Sequence, residues 1–257
     1  SNDNLQVEVQ GLEFLYSMHQ KDLGLCVSDL KKLAILDAPI SAKTISLHCF
    51  GLGSVNLEEF LEKLFTNQAI NKDLYNILEG FKIPCYLAPG NHDVGNDPTD
   101  STLTYYRNTI GKDYYTFQNK HVNFVVVNTQ LWKVHVDNES QKHHEWFIKT
   151  MDSLGELDTP IFGIGHYPLF LKTPDEEEVY FNLPVAIRAD IMTTLKKNNV
   201  KAYLSGHKHE TLINNFDGIQ LVSGETTSKN FDNRPLGYRL WEVVSDSITH
   251  KFIPLNL

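Results

Sequence analysis

Three short motifs share one construction, and they constrain the fold more than any other feature of the sequence. In each, an apolar run typical of a β-strand ends at a glycine that is followed by a polar cluster containing histidine. These are residues 90–93 (Gly-Asn-His-Asp, the first motif), 165–168 (Gly-His-Tyr-Pro, the second motif) and 206–209 (Gly-His-Lys-His, the third motif). In sheets flanked by helices, ligands gather outside the carboxyl ends of the strands. We therefore expect the three motifs to converge on one site.

The side chains of these motifs suit a metal ion. Imidazole nitrogens and an asparagine carbonyl oxygen are ligands for Zn, Mn or Fe. Glycine allows the backbone to turn sharply and to approach a ligand closely. A single histidine at a strand end is more often an ordinary surface or hydrogen-bonded residue, but three in the same context favour a shared site.

Strand-like apolar runs alternate with helix-period segments along the chain. The pattern predicts helices over 23–36, 139–154 and 184–197, with Pro184 at the first helical position, and strands over 84–87, 122–128, 161–165 and 202–205. His143 and His144 lie on the second of these helices, where we expect them to be exposed. Because no repeat or long linker interrupts the pattern, it indicates a single domain of residues 1–257, with two packed sheets and helices outside.

Charge and hydropathy exclude several classes of protein. The formal net charge is −9, so the chain has no general attraction for a phosphate backbone, and we expect no nucleic-acid binding. No apolar run approaches the roughly 18 residues of a membrane span, so we expect none. The start shows no signal-peptide pattern, yet the first residue is Ser1 rather than methionine. Localisation stays open between the cytoplasm and, if a signal peptide was removed, export.

With these motifs, the sequence resembles the calcineurin-like metallophosphoesterases, and within them the calcineurin-like phosphoesterase domain-containing Ser/Thr phosphatases. The resemblance covers about residues 43–254. Its carrying stretches are 90–99 (GNHDVGNDPT), 165–170 (GHYPLF), 175–183 (DEEEVYFNL) and 205–209 (SGHKH). It implies a four-layer α/β/β/α sandwich of two packed mixed sheets flanked by helices. It also implies hydrolysis of phosphate esters at two divalent metals roughly 3.5–4 Å apart.

Site residues follow from the resemblance, motif by motif. Four side chains match metal ligands of the family: Asn91, His166 and His207 for one ion, and His209 for the other. His92 would act on the transferring phosphate or the leaving oxygen, as a proton donor or an electrostatic stabiliser. Asp93 would orient His92 through a hydrogen bond to a ring nitrogen.

The two carboxylate-bearing motifs of the family depart from its pattern here. The first predicted strand ends at residues 16–20 (Tyr-Ser-Met-His-Gln). Gln20 is a candidate for the glutamine of the related subfamily, although no aspartate precedes it, and His19 is a candidate substitute ligand. After the second strand, Leu52 stands where the metal-bridging aspartate belongs, and leucine has no lone pair to donate. Two close dications without a bridging anion repel each other strongly. We therefore expect one or two ions of Mn, Fe or Zn, and one in preference to two.

Two functions remain open. The first is a metal-dependent phosphoesterase that hydrolyses phosphomonoesters, with a phosphoprotein or a small phosphorylated molecule as substrate. The second is a catalytically silent protein that keeps the fold and a phosphate-shaped pocket as a binding or scaffold module. His92 favours the enzyme, whereas Leu52 favours the silent protein. The acidic run 175–178 is either a solvated loop or part of the rim of the substrate site.

Overall fold

The computed structural model describes residues 83–226 and 230–255. Contacts between Cα atoms divide the chain into two units, residues 1–84 and 85–257, and every element given below belongs to the second unit. The strands and helices predicted before residue 83 lie outside the described residues. The expected single domain over residues 1–257 remains a prediction.

The described residues contain both helices and strands. The helices are α1 (Asn91–Val94), α2 (Asp100–Thr109), α3 (Gln130–Lys133), α4 (Glu139–Gly155) and α5 (Val185–Lys197). The strands are β1 (Tyr115–Asn119), β2 (Val122–Val126), β3 (Ile161–Ile164), β4 (Val200–Ser205), β5 (Leu212–Phe216), β6 (Ile219–Ser223), β7 (Gly237–Val244) and β8 (Ser247–Pro254). None of the helices in this described part is long and apolar enough to cross a membrane.

Six of the strands form one mixed sheet in the order β1-β2-β3-β4-β6-β5, and β7 and β8 form a separate antiparallel pair. Strands β2, β3, β4 and β6 run parallel to one another, while β1 and β5 pair antiparallel at the two edges. The apolar sequence of β2, Val-Asn-Phe-Val-Val, fits a central strand that is covered on both faces. The parallel order matters for the site, because it places the carboxyl ends of β3 and β4 at one edge of the sheet.

The two faces of the six-stranded sheet are covered by different layers. On one face, Ile161 of β3 packs with Phe147 of α4 and Ile191 of α5. On the other face, Phe162 packs with Trp241 of the β7–β8 pair, with ring centroids 5.7 Å apart. Neighbouring residues of a strand point to opposite faces, so β3 joins both layers. The predicted α/β fold of packed sheets with helices is confirmed.

The strand predicted over residues 84–87 is wrong, because residues 84–90 form an irregular segment. Leu87 explains the difference. Its backbone N–H donates to the Tyr115 hydroxyl at 2.8 Å, and its carbonyl accepts from the same hydroxyl at 3.0 Å. The backbone groups that a strand would offer to a neighbouring strand are therefore used by a side chain. The helix predicted from Pro184 begins one residue later, with Pro184 as its N-cap.

The expected exposure of His143 is also wrong. Its side chain is fully buried, on the same face of α4 as Phe147 and Met151. Its Nε2 accepts a 3.2 Å hydrogen bond from the backbone N–H of Asn128. Burial lowers the pKa of His143 to about 3, although the charge of Asp113 opposes this shift. The residue is a neutral member of the core.

Candidate metal centre

The second and third motifs follow adjacent strands. Strands β3 and β4 pair in parallel, so the loops after them leave the sheet at the same edge. The backbone N–H of Gly206 donates a 2.9 Å hydrogen bond to the carbonyl of His166, which joins the two loops directly. The rings of His166 and His207 consequently lie side by side, with centroids 4.8 Å apart.

The first motif reaches the same point from a different element. Asn91 is buried and is the first residue of α1. Its Oδ1 lies 2.8 Å from Nε2 of His166, and that nitrogen lies 3.0 Å from Nδ1 of His207. The three motifs thus bring one amide oxygen and two imidazole nitrogens together. We call Asn91, His166 and His207 the donor cluster.

Electrostatics keep the two histidines of the donor cluster neutral. Burial, and after it like-charge repulsion from the neighbouring His207, His92 and His209, lowers the pKa of His166 to about 3. Burial also lowers the pKa of His207 to about 4. A cation binds the lone pair of a neutral imidazole. At neutral pH both rings are already uncharged, so no imidazolium ion has to be deprotonated before a cation binds.

The sharp turn of the third motif is made by its histidines. His207 has φ 64° and His209 has φ 56°, in the left-handed region that residues with a Cβ rarely adopt. Sequence reasoning assigned this turn to Gly206, which does not have a positive φ. Backbone conformations of this kind persist where the surrounding structure enforces them, and they cluster at functional sites.

His209 lies beside the donor cluster and has an aromatic neighbour of its own. Its ring stacks on Phe231, with centroids 5.0 Å apart. Its charge lowers the pKa of both His166 and His207, which places it in the same electrostatic environment. The expected role of His209 as ligand of a second ion stays a prediction.

His92 is exposed on α1, and its charge also lowers the pKa of both donor-cluster histidines. The neighbouring carboxylate of Asp93 turns back on the chain, where its Oδ2 accepts a 2.8 Å hydrogen bond from the N–H of Gly90 and caps α1. Burial raises the pKa of Asp93, while this hydrogen bond and His92 lower it. The hydrogen bond expected between Asp93 and the ring of His92 stays a prediction.

The chemistry of the donor cluster fits one divalent ion. Two imidazole nitrogens and one amide oxygen suit Mn, Fe or Zn. Across residues 83–226 and 230–255, no group of three or more His, Cys, Asp or Glu side chains lies close enough together to hold a metal ion. The cluster reaches three donors only through Asn91, and it contains no carboxylate. His19, Gln20 and Leu52 lie outside the described residues.

Two residues that contact the donor cluster, Asn96 and Tyr180, were not predicted from the sequence. Nδ2 of Asn91 donates to Oδ1 of Asn96 at 3.0 Å and to the hydroxyl of Tyr180 at 3.2 Å. Nε2 of His207 lies 3.3 Å from the backbone oxygen of Tyr180. Asn96 lies in the stretch 90–99 and Tyr180 in 175–183, both of which carry the family resemblance. That resemblance was the only sequence signal for either residue.

A protein-family model described as calcineurin-like phosphoesterase matches residues 51–211, which include all three motifs. The chain belongs to the calcineurin-like phosphoesterase family. Membership implies divalent metal cofactors, and the donor cluster is chemically suited to bind one. A second model, described as a middle domain, matches residues 2–47.

Curated relatives share sequence with most of the chain. The serine/threonine-protein phosphatase CPPED1 of Danio rerio is 33% identical over 201 residues, which are 75% of this chain and 63% of that protein. CPPED1 of Homo sapiens is 28% identical over 191 residues, which are 72% of this chain and 61% of that protein. The chain therefore spans about three fifths of the length of these relatives.

Solved structures share less sequence with the chain. A dimetal phosphatase from Danio rerio has a TM-score of 0.46 at 15% identity, covering 70% of this chain and 73% of that one. GAP50, described as the anchor in the inner membrane complex of Plasmodium, has a TM-score of 0.44 at 14% identity, covering 57% of this chain and 52% of that one.

Proposed function

We propose that this protein is a metal-dependent phosphoesterase that hydrolyses phosphomonoesters at the donor cluster. The observation that carries the proposal is the approach of Asn91 Oδ1 and His207 Nδ1 to the same nitrogen of His166, at 2.8 and 3.0 Å. Three separated stretches of sequence meet there through neutral donor atoms, in a chain that belongs to a phosphoesterase family.

Asn91, His166 and His207 would hold the ion, and His209 would bind a second one, with His19 and Gln20 as further candidate ligands. When bound, a divalent ion would polarise a phosphoryl oxygen and lower the pKa of a bound water. The chain itself would contribute His92, which is exposed at the start of α1 and can donate a proton to the leaving oxygen. Asp93 fixes the start of that helix through its bond to Gly90 and would keep His92 in place.

The proposed substrate is a phosphorylated protein or a small phosphate ester. The name of the relatives, serine/threonine-protein phosphatase, supports the first of these. The net charge of −9 argues against nucleic acids as substrates, because a phosphate backbone would be repelled. The proposed metal is Mn, Fe or Zn, with one ion favoured over two.

The test combines metal analysis with hydrolysis of p-nitrophenyl phosphate by protein loaded with Mn²⁺ or Zn²⁺. Asn91→Ala should remove both the bound metal and the activity. His92→Ala should keep the metal and lower kcat by about 10²–10⁴-fold, the usual contribution of a general acid. Absence of bound metal, together with turnover no higher than in His92→Ala, would overturn the proposal.

A silent binding or scaffold protein is the second candidate, and one observation favours it. Within the described part of the chain the donor cluster contains no carboxylate, and by the family resemblance Leu52 would stand at the position of the bridging aspartate. Such a protein would bind inorganic phosphate or a phosphorylated ligand without turnover. Binding of phosphate by calorimetry in a preparation that holds metal but releases no p-nitrophenol would favour this candidate over the enzyme.

A further inference from the structure

The side-chain amide of Asn91 is held in one orientation. Both hydrogens of its Nδ2 are used, one by Oδ1 of Asn96 at 3.0 Å and one by the hydroxyl of Tyr180 at 3.2 Å. Its Oδ1 therefore faces Nε2 of His166. The reversed amide would set its oxygen against the oxygen of Asn96 and aim its hydrogens at His166. Only the observed orientation offers a lone pair to a cation.

The ring of His207 is held by the same neighbour. Its Nε2 lies 3.3 Å from the carbonyl oxygen of Tyr180. Because a carbonyl only accepts hydrogen bonds, this contact assigns the proton of the neutral ring to Nε2 and leaves the lone pair on Nδ1. Nδ1 is the atom that faces His166. A hydrogen bond that fixes the tautomer of a metal-binding histidine is a general device of metal sites.

Tyr180 can hold Asn91 and His207 because the segment that carries it, residues 171–183, is anchored by hydrogen bonds. Lys133 donates from Nζ to Oε1 of Glu178 and to the carbonyls of Val179 and Asn182, all at 2.8–2.9 Å. Asn182 is fully buried, and its Oδ1 accepts from the backbone N–H of Val179 at 2.7 Å. The residues on both sides of Tyr180 are thus tied to α3 and to each other.

A second set of bonds fixes the start and end of the segment. The carboxylate of Glu176 accepts from the backbone N–H groups of Leu171 and Lys172 at 2.6 and 2.8 Å, and from Asn182 Nδ2 at 2.7 Å. The buried guanidinium of Arg188 donates to the carbonyls of Pro174, Glu176 and Leu183. The acidic run 175–178 is therefore more than a solvated loop, because Glu176 and Glu178 hold the segment in shape.

We propose that Tyr180 is a positioning residue of the metal centre: its hydroxyl sets the amide of Asn91, and its carbonyl sets the ring of His207, so that both offer lone pairs to one cation. This inference rests on the proposed function, since the cation is the one that the phosphoesterase reaction requires. Tyr180 joins two ligands from two different motifs, and the anchored segment 171–183 transmits the rigidity of α3 and α5 to them.

The test removes the hydroxyl of Tyr180 and retains its backbone carbonyl. Tyr180→Phe deletes the oxygen that accepts from Asn91 Nδ2 and keeps the aromatic ring. Tyr105→Phe is a matched control, because Tyr105 on α2 is 54% exposed and Tyr180 is 52% exposed. Within the described residues, the hydrogen bonds of the donor-cluster side chains do not involve Tyr105. Two quantities are measured in each protein: the Kd for Mn²⁺ by calorimetry, and the ¹H–¹⁵N signals of the Asn91 side-chain amide in metal-free protein.

For Tyr180→Phe we expect the Kd for Mn²⁺ to rise by about 10–100-fold, the usual effect of losing a residue that orients a ligand. We also expect its Asn91 amide signals to shift, with an unchanged thermal unfolding midpoint. Tyr105→Phe should change none of these. An unchanged Kd and unchanged Asn91 signals in Tyr180→Phe would overturn the positioning role.

Failure of the proposed function would be visible separately. A wild-type protein that binds neither Mn²⁺ nor Zn²⁺ would overturn the phosphoesterase proposal, whatever Tyr180→Phe does. The metal-free Asn91 signals would then decide separately whether the hydroxyl of Tyr180 holds the Asn91 amide: a shift in Tyr180→Phe supports that contact, and unchanged signals reject it.

Discussion

The ring of His166 lies directly against the Cα of Gly90. A Cβ at Gly90 would stand 2.9 Å from both Cε1 and Nδ1 of that ring. The backbone of Gly90, with φ −107° and ψ 175°, is extended and open to any residue. The glycine of the first motif is therefore required by the space that the histidine of the second motif occupies, and its backbone conformation imposes no such requirement.

Gly90→Ala should weaken metal binding. The added methyl group must displace the His166 ring, because the contact is with a ring packed inside the donor cluster. We expect the Kd for Mn²⁺ to rise by about 10–100-fold, as when a ligand loses its orientation. Calorimetric titration of the metal-free protein with Mn²⁺ measures this change.

Gly206→Ala is the matched control for Gly90→Ala. It adds the same methyl group to the glycine of the third motif, where a Cβ would meet nothing within 4 Å. We expect this variant to bind Mn²⁺ as the wild type does. Equal Kd values for Gly90→Ala and Gly206→Ala would show that the contact between Gly90 and His166 does not position the ring.

Lys133→Met should loosen the segment that carries Tyr180. The side chain of Lys133 is only 13% exposed, and its three acceptors would lose their donor. A hydrogen bond to a charged group contributes about 1.5–3 kcal/mol, so the loss of these bonds should lower the free energy of unfolding by at least about 2 kcal/mol. Denaturant unfolding measures the loss, and hydrogen exchange should be faster in residues 171–183.

Lys196→Met controls for the loss of a lysine charge. Lys196 pairs with Asp217 at the surface, where the two side chains are 63% and 46% exposed. Exposed pairs contribute about 0–1 kcal/mol, so this variant should be nearly as stable as the wild type. If Lys133→Met lost no more stability than Lys196→Met, the anchoring of the segment by Lys133 would be refuted.

The sequence predicted those residues of the donor cluster whose signal lies in a few neighbouring residues of the chain. His166 and His207 were predicted because a strand end and the polar residue after it are neighbours in the chain. Tyr180 was missed as a positioning residue because it lies 89 residues from Asn91, and no periodicity links a loop residue to a distant side chain. The resemblance to a family marked its segment without saying what any residue in it does.

Burial was predicted less well where a polar residue occupies an apolar face. His143 was expected on the surface because histidine is usually at least partly exposed. Phe147 and Met151 follow it at spacings of four and eight residues on the buried face of α4, so helical periodicity did contain the correct answer. The strand expected at residues 84–87 failed for another reason, since the hydroxyl of Tyr115 that binds Leu87 comes from elsewhere in the chain.

His143→Gln should make stability less dependent on pH. The pKa of His143 is about 3 in the folded protein and about 6.5 in the unfolded chain. Between these two pH values the unfolded chain binds a proton at this residue and the folded protein does not. Stability from this histidine is complete above the unfolded value and is lost as the pH falls from about 6.5 towards 3, with a slope of up to about 1.4 kcal/mol per pH unit. Glutamine retains an acceptor for the N–H of Asn128 and does not titrate.

Urea unfolding of metal-free protein at pH 4, 5, 6 and 7 measures that slope. Between pH 4 and 6, we expect the slope of the unfolding free energy against pH to be smaller in His143→Gln, by the amount that corresponds to about one bound proton. His121 is exposed on the turn between β1 and β2, and His121→Gln should retain the slope of the wild type. Identical slopes in His143→Gln and wild type would mean that His143 is protonated in the folded protein at these pH values.

Leu52→Asp tests the prediction that residue 52 stands at the bridging position and that the lack of a carboxylate there limits the protein to one ion. A carboxylate at that position would supply the anionic charge that two close dications need, so we expect Mn²⁺ bound per chain to rise from one to two in equilibrium dialysis with elemental analysis. Leu52→Asn matches the shape and offers an oxygen lone pair without charge, and it should stay at one. A metal content in Leu52→Asp equal to that of the wild type would show that residue 52 is not at the bridging position, because a carboxylate placed between two ligand sets draws a second cation.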